Sequence, residues 1–280
     1  MQNINTQKNS SRIKPLEELT LMDDYMFGIV MREEANLKPL LESILGIRIR
    51  QIRFVEPQKT EKEGYASHGI RLDLFAQSED GMTFNVEVQK TEKKDLPKRM
   101  RYYQSVIDIN ILAPGEEYEN LQKSFVIFIC SYDPKGEERC IYTFENRCCE
   151  DLNLPLGDET HKIIVNTTGT TGSISKEQKE LMDYLNKGIT AGTYTKQLDD
   201  AVRQVKASEM RRHEYMLMMI RDRDIREEGR EEGVRETALG FVNILRDLGL
   251  NDEMIAEKIM QEFHLTKEAA DKLIGMKKSS

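Results

Sequence analysis

Residues 70–90, IRLDLFAQSEDGMTFNVEVQK, alternate apolar and polar side chains on either side of a central SEDGM. Successive side chains on a strand point to opposite faces, so this pattern predicts two strands, roughly 70–77 and 83–89, joined by a turn. Ile70, Leu72, Leu74, Ala76, Phe84, Val86 and Val88 make one wholly apolar face, which must be the core side. The other face carries Arg71, Asp73, Phe75, Gln77, Asn85, Glu87 and Gln89. A loop centred on Asp80 pairs residues whose numbers sum to 160, which sets Asp73 opposite Glu87 and Arg71 opposite Gln89. Like charges directly opposed across strands are destabilising, with Cβ atoms only about 4.5–5.5 Å apart. Two carboxylates so placed share a proton or hold a divalent cation, and hard oxygen ligands at that separation suit Mg²⁺ or Mn²⁺. The alternative is that Arg71 and nearby lysines neutralise both acids on a solvated face.

The segments around the hairpin predict an α/β domain. Residues 16–45 have helical apolar spacing, with Gly46 as a stop signal. Residues 47–55 alternate Ile47 and Ile49 against Arg48 and Arg50, a strand signal, and Pro57 to Gly69 reads as a loop. Asp95 is placed to cap and Pro97 suits a first turn, so a helix is expected from there to about 112. Residues 123–132, KSFVIFICSY, are a continuous apolar run that fits a strand buried on both faces. Shorter strands at about 140–144 and 161–166 follow, and NTTGTTGSIS (166–175) marks a boundary of turn chemistry.

Everything later reads as helix. Ser175 with Gln178 forms a capping-box pattern for 176–186, and 195–228 is long and highly charged. REEGREEGVRE (226–236) fits a solvated helix or linker, and Asn251 and Thr266 are N-cap candidates for two short helices. The expected divisions are a disordered lead-in over 1–15, the α/β domain over 16–170, a charged helical segment over 171–235 and a small helical tail over 236–280.

With 39% apolar and 32% charged residues the chain supports a real core. No stretch approaches the roughly 20 apolar residues of a membrane span, and the N-terminus lacks a signal-peptide core, so a cytoplasmic protein is expected. Cys130, Cys140, Cys148 and Cys149 show no zinc-ligand spacing and read as free thiols. There is no GxSxG, P-loop or Rossmann glycine pattern. A net charge of −8 does not favour nucleic acid, but residues 89–101 hold Lys90, Lys93, Lys94, Lys98, Arg99 and Arg101 against only Glu92 and Asp95. A cation-holding acidic pair beside a phosphate-attracting segment is what metal-assisted phosphodiester hydrolysis needs.

On these residues the chain resembles a known family. Asp73, followed by Glu87-Val88-Gln89 on a hairpin, looks like the D…(D/E)-x-K signature of the PD-(D/E)XK nucleases, and the order helices, three strands, helix, strand matches their core. LTLMDDYMFGIVM (19–31), LPKRMRYYQS (96–105) and the Glu/Gly-rich REEGREEGVRE narrow the resemblance to the PD-(D/E)XK family transposases, or Rpn-type recombination-promoting nucleases. The resemblance implies a restriction-endonuclease-like fold with a mixed central sheet and a Mg²⁺-dependent DNA endonuclease linked to recombination. It implies Asp73 and Glu87 as metal ligands and Asp24 as a third ligand. The alternative for Asp24 is an acid favoured by the helix dipole. Gln89 stands where lysine is usual; an amide can orient water or phosphate but supplies no cation. Lys93 and Lys94 are near enough to reach back, and Lys98, Arg101, Tyr102 and Gln104 are candidate DNA contacts, with Tyr103, Val106 and Ile107 packing on the sheet. Two other readings stand beside this one: a DNA-binding or regulatory protein on a nuclease-derived scaffold with weak or no catalysis, and a helical tail that carries protein interaction or homo-oligomerisation.

Overall fold

A computed structural model describes residues 14–61 and 70–275, and within them the side chains outside 54–73. Most of the expected lead-in, part of the 57–69 loop, and the side chains of Arg71 and Asp73 lie outside the described residues. Among the described residues six strands form one mixed sheet: β1 (Ile52–Glu61), β2 (Ile70–Ser78), β3 (Thr83–Gln89), β4 (Ser124–Cys130), β5 (Ile141–Phe144) and β6 (Thr160–Asn166). Their spatial order is β1-β2-β3-β4-β6-β5. The β1-β2-β3 meander is antiparallel, β4 joins β3 and β6 in parallel, and β5 pairs antiparallel with β6. The expected mixed sheet flanked by helices is what forms.

The hairpin register is the expected one. Leu74 pairs with Val86, Phe75 with Asn85, Ala76 with Phe84 and Gln77 with Thr83, each pair summing to 160. The alternative of a solvated polar face does not hold for β3. All seven residues of β3 are buried, including Asn85, Glu87 and Gln89. Parallel pairing sets Asn85 beside Val126, Glu87 beside Phe128 and Gln89 beside Cys130. The helix α3 (Leu96–Ile111) then covers that face through Leu96, Met100, Tyr103 and Ile107, packed with Phe75, Val126, Phe128 and Cys130. The acidic face is therefore a polar stripe inside a two-sided core, not a solvated surface. Asp95 occupies the N-cap of α3 without a side-chain capping bond, its backbone carbonyl accepting from Lys98 and Arg99.

The helical run expected over 16–45 is divided into a 3₁₀ turn at Leu16–Glu18, α1 (Asp24–Val30) and α2 (Glu34–Leu45). Side chains fix the breaks: the Asp23 carboxylate accepts from the Thr20 N–H at 2.7 Å, and the buried Asn36 amide donates to the Val30 carbonyl at 2.9 Å. Gly46 ends α2 in the left-handed region at φ 65°, where glycine pays no steric cost. β1 starts at Ile52 rather than 47, because Glu42 and Glu34 of α2 take the N–H groups of Ile49 and Ile52, each at 2.8 Å. It then continues past Pro57, which an edge strand tolerates.

The chain divides into two compact units between Arg212 and His213. The first extends past the boundary expected at 170, because α4 (Lys176–Lys187) and α5 (Thr193–Ala207) are tied to α2. Gln178 donates to the Ser43 carbonyl, Tyr194 to the Asn36 carbonyl, and Gln197 to Ala35 and Asn36. The expected capping box is present: Ser175 Oγ accepts from the Gln178 N–H and Gln178 Oε1 from the Ser175 N–H. Helix α6 (Glu209–Asp247) runs unbroken through Gly229 and Gly233. In the second unit its Ala238, Val242 and Leu245 pack with Ile255 and Ile259 of α7 (Asp252–Phe263) and Ala270 and Leu273 of α8 (Lys267–Gly275). Asn251 and Thr266 cap α7 and α8 by accepting from the N–H groups of Met254 and Ala269. No described helix is long and apolar enough to cross a membrane.

Candidate active site

Glu87 lies in the middle of the sheet with only 2% of its surface exposed. A carboxylate so placed needs partners, since an unpaired buried charge is costly. Asn85, two residues earlier on the same face, donates from Nδ2 to Glu87 Oε1 at 3.4 Å. The Asn85 carbonyl oxygen is itself buried and finds no hydrogen-bond partner among the described residues. A buried acceptor left in that state costs about 1–3 kcal/mol.

The second partner comes from the first turn of α3. Arg99 places Nη2 3.7 Å from Glu87 Oε2, donates from Nη1 to Gln89 Oε1 at 2.6 Å, and donates from Nη2 to the Tyr103 hydroxyl at 3.1 Å. Its guanidinium carbon stands 5.1 Å from the Phe128 ring centre and 5.6 Å from that of Tyr103, a stacking that arginine's planar cation suits. Burial works against its charge, but the Tyr103 hydroxyl and the Glu87 carboxylate hold its pKa above the ordinary value. Gln89 completes the arrangement by donating from Nε2 to the Thr91 carbonyl at 2.7 Å, which turns its oxygen towards Arg99. The Arg99 side chain is 24% exposed, against 3% for Glu87, so it forms the solvent side of the cluster.

In the sequence Arg99 reads only as local positive charge. A helix beginning at Leu96 turns positions 96, 99, 100, 103 and 107 towards one side. Arg99 is the single cation among them, and that was the available signal.

The expected partner of Glu87 is Asp73. Its backbone belongs to β2, and the register, carried one step beyond Leu74–Val86, sets it across from Glu87; its side chain lies outside the described residues. Asp24 opens α1 and is exposed. The preceding Asp23 takes Lys90 Nζ at 2.7 Å, and Lys90 also donates to Thr20 Oγ1. Lys90 therefore leaves the end of β3 towards the α1 side, away from Arg99 and α3, as strand alternation predicts. Against the opposing effect of burial, Lys90 and Thr20 hold the Asp23 carboxyl below its usual range.

Lys93, Lys94, Lys98 and Arg101 are exposed around the start of α3, and none makes an ion pair among the described residues. Tyr102, 43% exposed, stands with them. Gln104 does not: it is buried and donates to Ser124 Oγ at 2.7 Å and Asp108 Oδ1 at 2.9 Å, tying α3 to β4. Tyr103, Val106 and Ile107 pack on the sheet.

Among the described residues no three His, Cys, Asp or Glu side chains converge to hold a metal. The donor set nevertheless fits a hard cation. Glu87 is a carboxylate oxygen donor engaged by Asn85 and Arg99, and the Asn85 carbonyl, which has no described partner, is a neutral oxygen donor of the kind a hard cation accepts.

A model of the PD-(D/E)XK nuclease family transposases matches residues 21–224, from the approach to α1 into α6. No curated protein and no solved structure matches the chain.

Proposed function

The chain belongs to the PD-(D/E)XK nuclease family transposases, and on that premise we propose that it is a Mg²⁺-dependent DNA endonuclease of the Rpn, recombination-promoting type, with Mn²⁺ able to replace Mg²⁺. The observation that carries this reading is Glu87: a buried carboxylate on β3, next to Val86 of the paired hairpin, beside an asparagine oxygen with no described partner. Asp73, Glu87 and the Asn85 carbonyl are the oxygen donors for the ion, with Asp24 as an outer ligand from α1. A divalent cation at such a site lowers the pKa of a water and neutralises charge on the phosphate.

The residues of the chain supply the rest. The exposed cations Lys93, Lys94, Lys98 and Arg101 draw the DNA backbone to the start of α3, and Tyr102 offers a ring and a hydroxyl beside it. Burial of Glu87 keeps bulk water from competing for its oxygens and strengthens every charge interaction it makes. In the hydrolysis the water oxygen bonds to phosphorus and one phosphorus–ester oxygen bond breaks. One water proton is lost to solvent and the departing oxygen takes one up.

The test is cleavage of plasmid and single-stranded DNA with and without Mg²⁺. Cleavage should require the cation and vanish in Asp73→Ala and Glu87→Ala; equal residual cleavage by both variants would sink the proposal. The close approach of Arg99 to Glu87 favours a second reading, a DNA-binding or regulatory protein whose carboxylate is already neutralised. Metal-independent DNA binding, with no cleavage in Mg²⁺ or Mn²⁺, would select it.

A further inference from the structure

Cleaving a phosphodiester puts additional negative charge on the phosphate oxygens, and a fixed cation aimed there is among the largest contributions an active site makes. Gln89 has none to give. Lys90 is committed to Asp23 and Thr20 on the other side of β3. Lys93, Lys94, Lys98 and Arg101 are exposed, and none bonds to Glu87 or Gln89. Among the described residues one cationic head group stands within the cluster: the guanidinium of Arg99, which reaches Glu87, Gln89 and Tyr103 together.

We propose that Arg99, delivered from α3 rather than from the strand, is the catalytic cation of this site and that Gln89 is its positioning residue. The inference rests on the nuclease reading above and deepens it. Three contacts aim the head group. Gln89 Oε1 accepts from one terminal nitrogen at 2.6 Å, the Tyr103 hydroxyl from the other at 3.1 Å, and the Phe128 ring centre lies 5.1 Å from the guanidinium carbon. Guanidinium carries five N–H donors, and these contacts leave several for a phosphate oxygen arriving on the partly exposed side.

The same geometry explains why residue 89 is a glutamine. A lysine there has only donors, so it cannot accept from Arg99 and would set a second cation against the first. Glutamine at 89 and arginine at 99 thus form a matched pair, in which the strand supplies the acceptor and the helix the charge. The carboxamide is held at both ends, by Arg99 and by the Thr91 carbonyl, so it has no freedom to swing away.

The experiment compares wild type, Glu87→Gln, Arg99→Met, Arg99→Lys and the double variant Gln89→Lys/Arg99→Met. Each is measured for single-turnover plasmid cleavage in Mg²⁺ and for binding of a short DNA duplex in Ca²⁺, with thermal melting as the check on folding. Removing one hydrogen-bond donor to the transition state costs about 100-fold to 1,000-fold; a loss of at least that size is expected for Arg99→Met, with Arg99→Lys partly active. The double variant restores a cation from the strand and should recover at least tenfold over Arg99→Met, a rescue that mere neutralisation of Glu87 does not predict in the rate of chemistry. It also keeps a positive charge near Glu87, so it reports even if Arg99→Met fails to fold.

Arg99→Met within threefold of wild type, or a folded double variant no faster than the single, overturns the proposal while Glu87→Gln still upholds the nuclease. If wild type cleaves nothing, the nuclease reading falls by itself. The assignment of Arg99 to phosphate then stands or falls on whether duplex binding drops about tenfold in Arg99→Met and returns in the double variant.

Discussion

Replacing Asn85 by leucine separates the needs of the fold from those of the site. Leucine repeats the branched outline of asparagine without a polar atom. Two effects oppose each other. The change removes a buried carbonyl that has no described partner, relieving about 1–3 kcal/mol. It also removes the amide bond to Glu87. Charge-assisted bonds of this kind are worth about 1.5–3 kcal/mol at their usual lengths near 2.7–2.9 Å, but this one is 3.4 Å long and belongs at or below the lower figure. The two nearly cancel, so the leucine variant should match wild-type stability to within about 1 kcal/mol, a melting shift of no more than about 4 °C for a unit of this size. Activity should not be spared. If the orphaned oxygen faces the bound ion and the amide orients Glu87, its loss should cost about 10–100-fold in metal affinity or rate, as for other groups that orient ligands. Urea unfolding gives the first quantity; the cleavage rate across a Mg²⁺ titration gives the second. A leucine variant of unchanged stability, with wild-type rate and the same half-saturating Mg²⁺, would refute the reasoning and reduce the unsatisfied oxygen to a packing defect.

Gln104→Ala should do the reverse: it loses two bonds, to Ser124 and Asp108, against relief of one buried Oε1 with no described partner, a net destabilisation of the first unit by about 1 kcal/mol, while the cleavage rate per folded molecule is unchanged, as urea titration and a burst assay would show. Neutralising Lys93, Lys94, Lys98 and Arg101 one at a time should weaken DNA binding regardless of sequence, and each true phosphate contact removed should flatten the log–log salt slope by about 0.9; a slope unmoved by all four moves the DNA path elsewhere. His161, stacked on Phe125, has its pKa lowered by burial and then by Lys123, against the opposing pull of Glu145, Asp158 and Glu159. The unfolded chain therefore binds the His161 proton first, and its contribution to stability, complete above about pH 6.5, falls away as pH drops through the lower folded value. His161→Phe keeps the ring stack and should flatten the stability–pH curve over that window, measured by chemical denaturation at successive pH values.

Local chemistry made much of this fold readable in advance. The alternation of 70–77 and 83–89 predicted the observed hairpin and its pairing sum. The Ser175–Gln178 capping box and the Asn251 and Thr266 caps predicted helix starts, because a cap is decided within four residues. Misreadings arose where distant side chains take over backbone groups. Residues 47–51 have a strand's alternation, yet Glu34 and Glu42 capture the N–H groups of Ile52 and Ile49 and delay β1. The first compact unit runs on to 212 because bonds from Gln178, Tyr194 and Gln197 to α2 join segments more than 130 residues apart.

The candidate site shows the same limit at closer range. Alternation alone distinguishes the two faces of β3 but not whether the polar one meets solvent. The missing fact was topological: β4 is apolar on both faces, and its parallel pairing with β3 gives Val126, Phe128 and Cys130 the same side as Asn85, Glu87 and Gln89. Any helix that covers those apolar residues must also cover the acid. Once covered, Glu87 needs a cation, and an arginine in the inward stripe of α3 answers that need without lengthening the strand motif. Burial, the glutamine at 89 and the arginine at 99 are thus consequences of one decision, to roof the acidic face with a helix. The ordering of this cluster should accordingly follow the docking of α3. Weakening that contact at Ile107, remote from the chemistry, with Ile107→Ala should cost about 2–5 kcal/mol and loosen Arg99, so cleavage at low denaturant is expected to decline before the second unit's helices melt.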